Sequence, residues 1–366
     1  MDLVATIESE PCRYGGCWVI TPRSHLADRV VAQHEFIYWP PGEVHGGTLK
    51  LFASKTVSEI ARPAPAGPLG GEPGGLKGKL RALRKRVSAI KGGAEPLPML
   101  DLGDKLVLDL RFEPYANWSH QMNRYLLIAA NLRRAAGEPV TILLHAGMAG
   151  YIVRMYEVFG FEVVRSDAPV RARAARFEID KRTSIYSLRP RLLPVFDGFD
   201  FAPFSAGEPA ERLFLSRKDT RKIANEAEVL ALLERYGYRR IYPEDLSPAD
   251  QIAAIRAARS IVSIHGAALA PLQFHPDPAA LGLIELLPVG HVTNFYRVMA
   301  CQLGANYLAV RGREKPNYVK SMYTQGWFKD FSLDDFEVDV EALELALQLR
   351  HDGKAPFDAE GLAAPR

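Results

Sequence analysis

The sequence predicts an α/β protein of two Rossmann-like halves, each a parallel sheet covered by helices on both faces, with an acidic helix at the C-terminal end. Three observations carry this expectation. Short runs that are apolar throughout alternate with amphipathic segments along most of the chain, as strands buried on both sides require. One such run, Ser260–Ile264, breaks into His265-Gly266-Ala267-Ala268-Leu269-Ala270, a strand entering a helix through a turn stripped of bulk. At 366 residues the chain is long enough for two medium cores.

The first half takes residues 1–205. Its opening, Met1-Asp2-Leu3-Val4-Ala5-Thr6-Ile7-Glu8, carries acidic residues and no long apolar core, so it does not read as a secretory signal; no apolar run reaches membrane-spanning length, and the expected location is the cytoplasm. The stretch 61–75 holds Pro63, Pro65, Pro68 and Pro73 among five glycines and is expected to be a flexible linker. Over 76–91, Leu76, Leu80, Leu83, Val87 and Ile90 recur at helical spacing while Lys77, Lys79, Arg81, Arg84, Lys85, Arg86 and Lys91 fill the other faces. That pattern is a basic amphipathic helix, which packs on its own domain, docks on an anionic membrane surface or self-associates. Strands follow at Lys105–Leu110, Val140–His145 and Phe161–Arg165, with a helix over His120–Ala136.

The second half, 206–320, alternates regularly. Strands are expected at Arg212–Ser216, Arg239–Tyr242, Ser260–Ile264, Leu283–Leu287 and Asn306–Val310. Helices are expected at Glu226–Tyr236, Pro248–Ala258 and Phe295–Leu303, with a short one after His265. A C-terminal segment, 321–366, contains the acidic helix Val338–Leu349.

A net charge of +3 is too small to predict nucleic acid as the partner. Cys12 and Cys17 are close in sequence and Cys301 is remote, a spacing that argues for reduced structural thiols over structural zinc.

The chemistry gathers at the carboxyl ends of the second-half strands, where ligands of open α/β sheets sit. Small residues after His265 let backbone amides approach an anion, and a helix N-terminus favours one. Arg217-Lys218-Asp219-Thr220-Arg221-Lys222 places four cations within six residues at the end of the first strand of this half. With His265, Gly266, Ala267, Ala268 and Leu269 they would clamp a diphosphate. Glu285 is a carboxylate inside an apolar strand and needs a partner, either the ribose hydroxyls of a nucleotide or a structural ion pair.

These residues resemble glycosyltransferase family 61. The resemblance lies in the order and spacing of Leu215-Ser216-Arg217, Asn225-Glu226, Asp250-Gln251-Ile252, His265 to Ala270, Phe274, Ile284-Glu285, Asn294, Tyr296-Arg297 and Leu303-Gly304. It covers Leu213 to Val310; in the first half it thins to Asn117-Trp118-Ser119-His120. Pro271 replaces the usual polar residue after the glycine turn, and the acid often found a turn after the first-half histidine is absent, since Gln121, Asn123 and Arg124 stand there.

The resemblance implies a GT-B fold, two Rossmann-like domains facing across a cleft, and inverting transfer of a sugar from a nucleotide-sugar donor, a UDP-sugar in the reading adopted, to a glycan or lipid-linked glycan in surface polysaccharide assembly (capsule, lipopolysaccharide or exopolysaccharide). Donor binding falls to Arg217, Lys218, Arg221, Asn225, His265, Gly266, Ala267, Ala268, Leu269 and Glu285. No Asp-x-Asp pair occurs in the chain, so no metal or other cofactor is expected. The base that deprotonates the acceptor is assigned to His120, with Asp109 and Glu113 in reserve. A catalytically inactive nucleotide-binding scaffold and a pyruvyl transferase on the same fold are the alternatives, and a homo-oligomer is allowed.

Overall fold

The computed structural model describes residues 1–22, 36–61, 97–113, 117–180, 185–204, 208–289, 293–313 and 333–351. The basic helix expected over 76–91 and all but Ala61 of the expected linker lie outside the described residues. In chain order the described strands are β1 (Asp2–Ser9), β2 (Cys12–Tyr14), β3 (Cys17–Ile20), β4 (Phe36–Trp39), β5 (Gly42–Val44), β6 (Gly47–Ile60), β7 (Leu100–Asp109), β8 (Val140–Leu144), β9 (Glu162–Arg165), β10 (Val170–Ile179), β11 (Arg212–Leu215), β12 (Arg239–Ile241), β13 (Ser260–Ile264), β14 (Gly282–Leu287) and β15 (Asn306–Arg311). The described α-helices are α1 (Trp118–His120), α2 (Leu126–Ala136), α3 (Gly150–Val158), α4 (Ile185–Leu192), α5 (Glu226–Arg235), α6 (Pro248–Ala257), α7 (Phe295–Leu303) and α8 (Val340–His351). The chain forms two compact units, Met1–Glu8 with Thr48–Thr183 and Ser9–Gly47 with Ser184–Arg366.

The first unit is built on a six-stranded sheet of order β1-β6-β10-β7-β8-β9. β10, β7, β8 and β9 run parallel, and β6 pairs antiparallel with β10. β8 is buried along its whole length, as its unbroken apolar run requires. The single helix expected over His120–Ala136 is interrupted. Asn117 caps α1 by accepting from the His120 amide at 3.1 Å, a π-helical turn spans Gln121–Tyr125, and α2 ends at Gly137 in the left-handed conformation (φ 69°). The wide turn buries polar groups in pairs, since Tyr156 donates to Gln121 Oε1 at 2.9 Å and Asn123 Nδ2 to Ser119 Oγ at 2.9 Å.

The second unit carries a seven-stranded sheet of order β12-β11-β13-β14-β15-β3-β4, parallel except for the β3–β4 pair. Alternate residues of each strand face opposite helical layers. Leu213, Leu215, Ile261 and Leu283 pack with Ile255 of α6 and Met299 of α7. Phe214, Val262, Ile284 and Val310 pack with Val229 and Leu233 of α5 and Leu343 and Leu347 of α8. Both faces are thus covered, and the order β12-β11-β13-β14-β15 reverses between β11 and β13. A ligand crevice in such a sheet opens at the carboxyl ends of those two strands.

Three boundaries differ from the sequence expectation. Ser9–Gly47 belongs to the second unit, because the apolar β3 adds in parallel to β15 through Val19–Ala309 and Ile20–Val310 pairing. The second unit also begins at Ser184, ahead of the expected start at 206. The acidic helix starts two residues later than expected, at Val340.

Candidate active site

The reversal of strand order sets Arg217, just past β11, beside His265, just past β13. Arg217 Nη1 lies 3.5 Å and Arg221 Nη1 3.2 Å from the same acceptor, the His265 carbonyl. Gly266 has extended backbone (φ 166°), so space and not conformation bears on its identity: a Cβ there would lie 2.5 Å from Arg217 Nη1 and would push the guanidinium aside. Arg221 is the one non-glycine residue with positive φ (58°) among the described residues, a strained conformation that turns its guanidinium back toward the carbonyl. Burial lowers the Arg217 pKa, and burial followed by the Arg217 charge pushes Arg221 down to about 10. Two half-buried like charges repel, and an anion between them relieves both penalties.

The turn that follows is a 3₁₀-helix, Ala267–Phe274, with Ala267 and Ala268 at its open N-terminal end. Leu269 does not share their position. Its amide donates to the Gly266 carbonyl at 3.2 Å and its side chain is buried in the core.

His265 is itself nearly buried, and its Nδ1 stands 2.6 Å from Glu285 Oε1. Tyr307 donates to the other carboxylate oxygen at 2.5 Å. The partner that the buried Glu285 needs is therefore supplied by the chain, not by a ribose. The parallel register sets Ser263 opposite Glu285, which brings the carboxylate alongside the end of β13. Thr293 Oγ1, ahead of α7, lies 3.4 Å from His265 Nε2, and the Tyr296 ring stands edge-on at 5.5 Å.

Two expected donor residues point elsewhere. Lys218 is exposed, paired with Asp245 at 2.6 Å and set over the Tyr242 ring. Asn225 clasps the segment before α8, donating to the Val338 carbonyl at 2.8 Å and accepting its amide at 3.0 Å. Nothing local in the sequence reveals either contact, because each partner lies on a remote segment.

In the first unit, Asp109 is not available as a base. Arg111, fully buried, grips both of its oxygens, Nε to Oδ1 at 2.9 Å and Nη2 to Oδ2 at 2.7 Å. Glu113 accepts from the Tyr125 hydroxyl. His120 is exposed at the end of α1. Partial desolvation and then the Arg124 charge lower its pKa, with Glu113 opposing. An acid thus stands within electrostatic reach of His120 from the residues before the helix, although none follows a turn later. A further pair at the end of β8 was not anticipated. His145 Nε2 lies 3.4 Å from Asp167, while His145 Nδ1 accepts the Gly147 amide at 2.9 Å, so both ring nitrogens serve the loop.

The second unit is thus a doubly wound α/β unit whose strand-order reversal, the place where ligands of open α/β sheets bind, gathers guanidinium groups, a glycine turn and a buried histidine–carboxylate pair. The family model of glycosyltransferase 61 matches residues 115–281, and this match supports placing the chain in that family. His120, Arg217, Arg221 and His265 fall within the matched residues; Glu285 and Thr293 fall after them. No curated protein matches the chain. Among the described residues no helix is long and apolar enough to cross a membrane.

Proposed function

We propose that the protein is an inverting, metal-independent glycosyltransferase that takes a UDP-sugar as donor and a glycan or lipid-linked glycan of surface polysaccharide as acceptor, with the two units as the halves of a GT-B enzyme. The observation that carries the reading is the convergence of Arg217 and Arg221 on the His265 carbonyl beside Gly266. In glycosyl transfer the acceptor oxygen attacks the anomeric carbon, the bond to the diphosphate breaks, and negative charge grows on the leaving group. Preorganised cations and amides stabilise that charge without reorganising. Arg217, Arg221, the first amides of the turn at Ala267 and Ala268, and His265 supply them here.

The acceptor proton passes to His120. Its lowered pKa keeps the imidazole neutral, the form that accepts a proton, at neutral pH. Glu113, the acid before the helix, acts on His120 through its charge, which favours an active enzyme over an inactive scaffold. The test is calorimetric titration of UDP and UDP-sugars with and without EDTA, followed by donor hydrolysis and transfer assays. The reading expects UDP to bind equally well in EDTA, and absence of UDP binding in both conditions refutes it.

A further inference from the structure

Binding a phosphate needs no more than cations and amides, yet the turn is backed by a buried chain of Tyr307, Glu285, His265 and Thr293. A carboxylate taken out of water is stabilised only if its oxygens are satisfied. Tyr307 satisfies one. Burial and then the Glu285 charge hold its phenol proton well above the usual range, so Tyr307 is a fixed donor. The other oxygen meets His265 Nδ1 at 2.6 Å, a contact that is favourable only with a proton on Nδ1. Glu285 therefore sets the tautomer of the ring and leaves Nε2 as the atom that gains or lacks a second proton.

Among the described residues, groups from several neighbouring elements face this ring. Glu285 stands on β14 with Tyr307 of β15 behind it, Tyr296 on α7, and Thr293 just before that helix. Arg217 and Arg221 donate to the backbone carbonyl of His265. Cys17 of β3 is near Glu285, its thiol pushed up to about 11 by burial and so uncharged. Among the described residues, two guanidinium groups oppose a further positive charge and one carboxylate favours it. A bound diphosphate cancels the opposition and leaves the attraction.

We infer that His265 takes up a proton at Nε2 when a nucleoside diphosphate binds, with Glu285 as the positioning residue that makes the imidazolium possible; the inference rests on the donor reading of this turn. The proton comes from solvent. A new Nε2–H bond forms, the Thr293 hydroxyl gives up its contact with the ring, and Nε2–H donates to a non-bridging phosphate oxygen. No bond to phosphorus changes in this step. The ring then meets the growing charge of the leaving group as a full cation and not as a neutral dipole.

Calorimetric titration of UDP into the full chain at pH 8, in buffers of different ionisation enthalpy, tests this. The terminal phosphate, with its second pKa of about 6, is already ionised there, so any proton taken up goes to the protein. The wild type is expected to take up a measurable fraction of one proton, and its UDP affinity to fall by up to about tenfold per unit as pH rises. Glu285→Gln and His265→Asn, each first shown to melt cooperatively, should take up close to none, and uridine should cause no uptake in any variant. UDP binding without proton uptake in the wild type, or uptake that survives in His265→Asn, overturns the inference and leaves the nucleotide site standing. If UDP fails to bind at all, the donor reading falls and the inference falls with it.

Discussion

Replacing Arg217 with alanine separates a ligand-binding cation from a structural one. In the free protein Arg217 and Arg221 donate to one carbonyl oxygen from 3.5 and 3.2 Å, which holds their nitrogens within about 7 Å of each other. At that separation, and with an effective dielectric constant of about 20 to 40, like charges repel by about 1–2.5 kcal/mol. Arg217 also gives a 3.3 Å hydrogen bond to Thr220, and it forms no ion pair among the described residues. Loss of two long hydrogen bonds and relief of the repulsion nearly cancel, so the variant should melt within about 3 °C of the wild type. UDP binding behaves differently. A charge-assisted hydrogen bond to phosphate contributes about 1.5–3 kcal/mol, so affinity measured by calorimetry should fall about 10- to 150-fold. Unchanged affinity, or a melting temperature lowered by much more than that margin, would refute the reasoning, because Arg217 would then be a structural prop.

Gly266→Ala should reproduce much of this loss with the fold intact by circular dichroism, since the added methyl displaces the Arg217 guanidinium. His120→Asn should lower turnover by about a hundred- to ten-thousand-fold while UDP affinity stays near normal, and in the wild type the acid limb of the rate profile should fall below the ordinary histidine range of about 6.5. Asp109→Ala should destabilise the first unit by about 3–5 kcal/mol in denaturant unfolding, because it strands the buried Arg111 charge, and turnover per folded molecule should hold. For the basic segment 76–91, docking on anionic lipid, one of the three readings of its pattern, predicts that replacing Arg84, Lys85 and Arg86 with Glu lowers co-sedimentation with anionic vesicles; equal pelleting of both proteins would leave self-association or packing on its own domain.

The strand and helix alternation of the second unit was legible in the sequence because its causes are local. A run such as Ser260–Ile264 carries no charge and has three β-branched aliphatic residues in five, and helices cover it on both faces. The turn at His265-Gly266 was legible for the same reason, since the strand breaks there into a glycine and small residues. Tertiary structure decided what each polar group meets. Glu285 reads as an acid in need of a partner, but strand register chose His265 and Tyr307. The cations 217–222 look alike in sequence, yet the loop turns Arg217 and Arg221 onto one carbonyl and sends Lys218 to Asp245. Arg297, one of the family-like residues, is spent on the carbonyls of Gly15 and Trp39, which reach it only because β3 joins the sheet beside β15. Periodicity is set by nearest neighbours along the chain and can be read from them. Arg111 pairs with its neighbour Asp109, but the partners of Glu285, Lys218 and Arg297 come from residues tens to hundreds of positions away, and only the folded chain brings them within hydrogen-bonding distance.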